Sequence, residues 1–283
     1  MDSDGPTVLA EEVPMRADDV LPVQILRHGA YICLDTSAHA EALASADVPG
    51  LAGRLGLANE FGSMGGNPPA AIAYLKHARS VPGQITDLGL LTAGAVVHVA
   101  AATPEPVADF LAGFASLLPG LSPRILAGVM PMPVYSSAQM FNYAYAHRVL
   151  QQPAAVMPNA LLIPMSKARQ WWEKDWLERH TYFLPRYDDD GRMRSQGHAL
   201  AGEPGIACLL RRTYKSQELP AGAGDYDFVN YFECSDADVS VLESVCAALR
   251  DVSRNPEWKY VREGPTWHGR RTGTWQELFA AQR

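Results

Sequence analysis

The strongest constraint on what this chain can fold into is a pattern that occurs twice. In the first copy, residues 95–102 (AVVHVAAA) form a β-rich run, Thr103 and Glu105 open a helix reaching about Leu118, and residues 124–130 (RILAGVM) return as a strand. In the second copy, residues 226–232 (YDFVNYF) are the strand. Ser235-Asp-Ala-Asp238 then has the form of a capping box, in which a serine oxygen satisfies an orphan helix amide. Leu242, Val245, Cys246 and Leu249 recur at helical spacing and give one apolar face. That helix ends near Arg254-Asn-Pro256, because proline cannot continue it, and residues 258–262 follow as another strand. Strand, capped helix and strand, twice and at similar lengths, predict an α+β fold of two ferredoxin-like halves.

The remaining segments fill in around that duplication. Residues 23–34 read as a strand, the Ala-rich stretch 38–57 as a helix, 62–69 (GSMGGNPP) as a loop and 70–79 as a short helix. Residues 1–20 are acidic and carry no apolar period. The expected organisation is a flexible acidic tail over 1–20, an N-terminal half over 21–155 and a C-terminal half over 156–283.

Composition excludes several classes of function. At 47 % hydrophobic and 19 % charged the chain is globular rather than disordered or fibrous, and its net charge of −7 offers no basic field to collect phosphates. No nucleic-acid partner is expected. The first twenty residues lack the apolar stretch of a secretory signal, and the longest apolar run, 88–103, is broken by His98 and too short to span a bilayer. Cys33, Cys208, Cys234 and Cys246 are scattered without a CxxC pair, against structural zinc and against a disulfide framework. The expectation is a soluble, reduced, cytoplasmic protein with no membrane partner.

Familiar catalytic signatures are missing. There is no HExxH, no Cys/His cluster and no GxSxG, and GSMGGNPP has no following lysine to make it a phosphate loop. Residues 187–191 (YDDDG) lack the spacing of a calcium loop and read as a solvated turn. The informative stretch is 161–216. Residues 163–167 (IPMSK) lead from a strand into a helix, with Ser166 as a plausible cap. Trp171, Trp172, Trp176 and His180 lie at helical spacings, and that helix ends near Pro185. His198 precedes a strand over 206–214 that carries Arg211 and Arg212. An imidazole at the end of one element can hold iron axially, and an arginine on a neighbouring strand can face the other side of a flat macrocycle. By spacing alone, the ordinary reading of His198 as a surface or satisfied core histidine is favoured.

Four stretches then resemble a known family: IPMSKARQWW, HALAGEPGIACLLRRTYKS, YDFVNYFECSDADV and LRDVSRNPEWKYVREGPTWHGRR. Over residues 159–271 the chain is similar to the C-terminal half of the chlorite dismutase-like haem proteins. These include chlorite dismutases and coproheme decarboxylases, and are allied to dye-decolourising peroxidases. The resemblance implies two ferredoxin-like halves forming a dimeric α/β barrel in one chain, haem b as cofactor, a small-molecule substrate and a homo-oligomer. It also implies that His198 is the proximal iron ligand and Arg211, thirteen residues on, the distal catalytic arginine. Trp171 and Trp172 fall on the aromatic positions flanking the haem.

The chain departs from the family in several places. The interval from Trp172 to His198 is longer, which makes 182–194 an insertion and His180 the fallback ligand. Ile163 stands where decarboxylases carry a reactive tyrosine, disfavouring coproheme decarboxylation, and Glu263 replaces the tryptophan that follows V-R in chlorite dismutases. Glu257 is the nearest acidic partner for the proximal imidazole, with Arg254 and Pro256 in competing alignments. Arg212 is expected to face the other side of its strand, because adjacent strand residues alternate. Arg262 is expected to bond inside the barrel, and Trp258, Tyr260, Trp267 and Trp275 to be packing or interface aromatics. The resulting expectation is a haem b oxidoreductase of peroxidase or chlorite dismutase type. A haem-dependent lyase or dehydratase, and a haem-free relative using the same pocket, are the alternatives.

Overall fold

A computed structural model describes residues 26–59, 69–130 and 157–280. The N-terminal half runs β1 (His28–Leu34), α1 (Thr36–Ser45), α2 (Val48–Arg54), β2 (Ala58–Asn59), β3 (Ala70–Val81), α3 (Leu88–Leu91), β4 (Ala95–Ala101), α4 (Glu105–Leu117) and β5 (Arg124–Val129). The C-terminal half begins with β6 (Asn159–Lys167), α5 (Arg169–Trp172), α6 (Trp176–Thr181) and the hairpin β7 (Arg186–Tyr187) and β8 (Met193–Ser195). It continues with α7 (Gly197–Gly202), β9 (Leu210–Lys215), β10 (Phe228–Cys234), α8 (Val239–Arg250), β11 (Val261–Glu263) and β12 (Thr266–Thr272).

Strand order shows the duplication directly. The N-terminal sheet is ordered β5-β1-β4-β3 and the C-terminal sheet β9-β10-β6-β12, and each is the fourfold antiparallel arrangement of a ferredoxin-like unit. β3 pairs with β12 and β5 touches β9 through Val129 and Lys215, so the two sheets close into one barrel. Closure removes the sheet edges that would otherwise invite pairing with other chains. The fold is the α+β double ferredoxin-like barrel expected from the sequence.

Side-chain alternation sorts the core into three layers. Ala30, Ile32, Val97 and Val99 face outward beneath α1, α2 and α4, joined by Trp275. Tyr31, Cys33, Val96, Leu162, Tyr214, Val229, Tyr231 and Trp267 fill the barrel. Leu161, Ile163, Met165 and Phe232 face outward beneath α7 and α8, which supply Ala201, Leu242, Val245 and Leu249. Gly29 admits the ring of Tyr214, since a Cβ there would fall 2.3 Å from the ring's Cζ. Trp267 and Trp275 are fully buried packing residues whose indole N–H groups reach the carbonyls of Ala93 and Leu43.

Several local expectations are corrected. Residues 70–79 are strand β3, not a helix: the Ala-rich sequence has helical propensity, but its first six residues are buried, paired along β4 on one side, with β2 and then β12 on the other. The helix expected over 38–57 is two helices, because Asp47 accepts from the Gly50 amide and Pro49 restarts the chain as α2. Ser166 lies in β6 and caps nothing, and the helix expected to run to Pro185 is split into α5 and α6 by a new cap at Asp175. Ser235 donates its hydroxyl to Asp238 instead of accepting from an amide, and a 3-10 turn precedes α8. Residues 256–260 are a 3-10 turn rather than strand, and the strand begins at Val261. The strand expected over 206–214 starts at Leu210, and His198 sits in helix α7 ahead of it. Arg262 is exposed beside Gln84 and Lys259, outside the barrel. The tail 1–20 and most of the GSMGGNPP loop lie outside the described residues.

Candidate functional site

The site is built on the outer face of the C-terminal sheet, where α7 lies over the strands. His198 and Ala201 are three residues apart on α7 and so share a helix face, and Ala201 is packed against Ile163, Met165 and Phe232. His198 therefore faces the sheet. Two backbone devices hold it there. Gly197 takes a positive φ of 68°, a conformation glycine adopts without penalty, and its neighbour's carbonyl leaves no room for a side chain: a Cβ would fall 2.4 Å from Leu184 O. The amides of Gln196 and Gly197 both donate to the Arg254 carbonyl, while the Arg254 guanidinium reaches back to the Gln196 side chain at 2.7 Å. The turn after α6 supports the same helix, since the amides of His198 and Ala199 donate to the carbonyls of Tyr182 and Phe183.

Glu257 stands beside the imidazole. Nδ1 of His198 lies 3.3 Å from Oε2 of Glu257, off the line of an aligned hydrogen bond, and Oε1 of Glu257 is held by the Lys167 ammonium. Glu257 and Lys167 come from the 3-10 turn and the end of β6, and both are buried. Burial alone would raise the Glu257 carboxyl, but Lys167 and His198 outweigh it and hold the group down to about 2. Burial lowers the His198 pKa below its ordinary 6.5, helped by Arg211 and Lys167 and opposed by Glu257. The ring is thus neutral at neutral pH, with its proton placed on Nδ1 towards the carboxylate and its lone pair on Nε2. No described residue hydrogen-bonds Nε2.

Arg211 lies on β9 opposite Phe232, on the same outer face. Its guanidinium makes no hydrogen bond or ion pair with a described residue. Arg212, one residue on, points into the barrel: it is 1 % exposed, and its Nη1 lies 3.5 Å from His98 Nδ1. His98 is stacked on Tyr31 at 4.4 Å and bonded to the Tyr214 hydroxyl at 3.1 Å.

The two tryptophans diverge. Trp172 stacks over Phe228 at 6.3 Å, with its indole N–H buried and without a described partner. Trp171 is packed among Tyr182, Tyr260 and the Lys167 ammonium, away from the Phe228 wall. His180 sits on α6 with its ring against Phe183, so the carboxylate at Glu257 is met by His198. Sequence reasoning missed Lys167, Gly197 and the Arg254 carbonyl. Only Gly197 carried a signal, as a glycine immediately before the histidine.

Among the described residues no group of three or more His, Cys, Asp or Glu side chains is arranged to hold a metal, and no helix is long and apolar enough to cross a membrane. A single imidazole ligand, as in an axially held macrocycle, is compatible with the first observation.

Neither a family model nor a curated protein matches the sequence. Solved structures do. A double variant of chlorite dismutase from Candidatus Nitrospira defluvii superposes with a TM-score of 0.58 at 18 % identity, covering 92 % of this chain and 95 % of that one. The same organism's chlorite dismutase in complex with imidazole gives 0.56 at 19 % identity, over 92 % and 95 % of the two chains. At such identities the likeness concerns architecture, and it runs through both halves of the barrel. This chain has the chlorite dismutase-like fold.

Proposed function

We propose that the protein binds haem b between α7 and the outer face of the C-terminal sheet and acts as a haem-dependent oxidoreductase on a small oxidant or small organic substrate. The observation that carries this reading is the His198–Glu257–Lys167 chain facing Arg211, whose guanidinium is bonded to no described residue. The residues fit the group. A neutral imidazole with Nε2 available is the protonation state that ligates iron, and a carboxylate at Nδ1 raises its basicity. Trp172 and Phe228 offer an aromatic wall, and the buried indole N–H of Trp172 has no acceptor among the described residues.

When bound, the haem supplies redox chemistry at iron. The protein's own residues do the rest. His198 would hold the iron through Nε2, Glu257 beside Nδ1 would orient the ring, and Lys167 keeps Glu257 ionised. Arg211 binds and polarises whatever enters from the sheet side, because a guanidinium presents several donors and never loses its charge. A cation bonded to no described residue favours a substrate with negative charge or developing negative charge over the neutral substrate of a dehydratase.

The test is the absorption spectrum of purified protein before and after adding haem. An intense Soret band that shifts or disappears in His198→Ala is the expected result. A protein that leaves the spectrum of added haem unchanged overturns the reading.

A further inference from the structure

We propose that Asn230 is a second hydrogen-bond donor beside Arg211, and that the two together select a small anion over a neutral ligand. This rests on the haem reading above and names its ligand class.

Asn230 lies on β10 between Val229 and Tyr231, both of which fill the barrel, so it shares the outer face with Phe228 and Phe232. It is paired in register with Thr213, which sits two residues from Arg211 on the same face of β9. The amide is 8 % exposed. Its Oδ1 accepts the Thr213 hydroxyl at 2.6 Å, which fixes which way the amide points. Its Nδ2 then carries two donors, and their one partner among the described residues is the thioether of Met165 at 3.4 Å.

That is a poor arrangement for stability alone. A thioether is a weak acceptor, and a buried amide donor without a good partner is destabilising by more than the apolar residue that would fit between Met165, Phe228 and Phe232. It is a good arrangement for reading an acceptor. The Asn230 oxygen is occupied and the Thr213 proton is committed to it. What the amide and the guanidinium of Arg211 still have to offer is therefore N–H donors. A ligand that meets them needs lone pairs and gains from negative charge.

The experiment uses haem-loaded wild type, Asn230→Leu and Thr213→Val, and follows the Soret band during two titrations. The probes are fluoride, a compact anionic acceptor, and an alkyl isocyanide on the reduced protein, a neutral ligand. Asn230→Leu is expected to weaken fluoride binding by about tenfold, the scale of one lost hydrogen bond to a charged acceptor, with isocyanide binding changed by less than about twofold. Thr213→Val leaves the amide without its anchor and is expected to weaken fluoride by about threefold; it carries the test should Asn230→Leu fail to fold. Wild-type fluoride affinity in the variants, or an equal loss for both probes, overturns the proposal. A wild-type protein that takes up no haem overturns the parent reading and this one with it.

Discussion

His198 and Glu257 approach to 3.3 Å at a place where three elements distant in sequence converge: helix α7, the 3-10 turn after α8, and the end of β6 through Lys167. The three side chains form a short buried series of cation, anion and neutral ring. Removing any member leaves the next with an unbalanced charge or an undirected ring, and the consequences differ from member to member.

The pH dependence of stability follows from the imidazole. Its folded pKa lies below 6.5, chiefly because of burial. As pH falls, the unfolded chain takes up a proton at this ring before the folded one does. The contribution of His198 is therefore fully present above 6.5 and is lost as pH falls towards the folded value. Between about pH 7 and about pH 5 the urea midpoint of the wild type should fall more steeply than that of His198→Phe. Parallel slopes would show that the ring is not held neutral.

Lys167 should matter most for stability. Lys167→Met strands the Glu257 carboxylate in a buried position, and breaking one side of such a pair costs about 3–5 kcal/mol. Adding Glu257→Gln should recover much of that loss, since the double variant buries no charge. Glu257 itself behaves as a depressed acid: its contribution is present above its ordinary value and is lost only as pH falls through about 2. Urea melts of the two single variants and the double variant at neutral pH test this, and additive losses would count against a coupled pair.

The sequence made the scaffold legible and left much of the site's support invisible. Strand–helix–strand duplication could be read because alternating apolar residues such as Val97 and Val99 against Val96 record which face each side takes. β3 could not, because its alanines favour helix and only pairing with β4, and with β2 at the start, makes them strand. Arg211 and His198 came from the family resemblance. Lys167 did not, because its partner is 90 residues away and nothing local marks a lysine at a strand end as buried. The cap expected at Ser235 failed for a similar reason: Asp238, one turn on, competes for the serine hydroxyl.

Gly197 is a positioning residue for His198. Alanine at this site would have to hold a positive φ and overlap the Leu184 carbonyl, so Gly197→Ala should destabilise by about 2 kcal/mol or more. If α7 shifts instead of unfolding, the same change should weaken haem uptake while leaving the far-ultraviolet circular dichroism intact. A variant with wild-type melting and wild-type haem affinity would show that the helix start tolerates a side chain.

The adjacent arginines give the sharpest contrast, because one step along a strand moves a side chain from one face of the barrel to the other. Arg211 makes no bond to a described residue, so Arg211→Gln should change stability by no more than about 0.5 kcal/mol. Arg212 is buried beside His98 and close to Tyr31, and Arg212→Gln should cost about 3 kcal/mol by removing a buried, bonded side chain from the packed barrel interior. Ligand binding should show the reverse. Haem-loaded Arg211→Gln should lose about tenfold or more in fluoride affinity, since a charged donor is replaced by a neutral one. Arg212→Gln, where it still folds, should bind fluoride as the wild type does. Chemical denaturation paired with Soret titration of both variants measures the two effects, and a common pattern for the two arginines would mean that β9 does not divide a ligand face from a structural one.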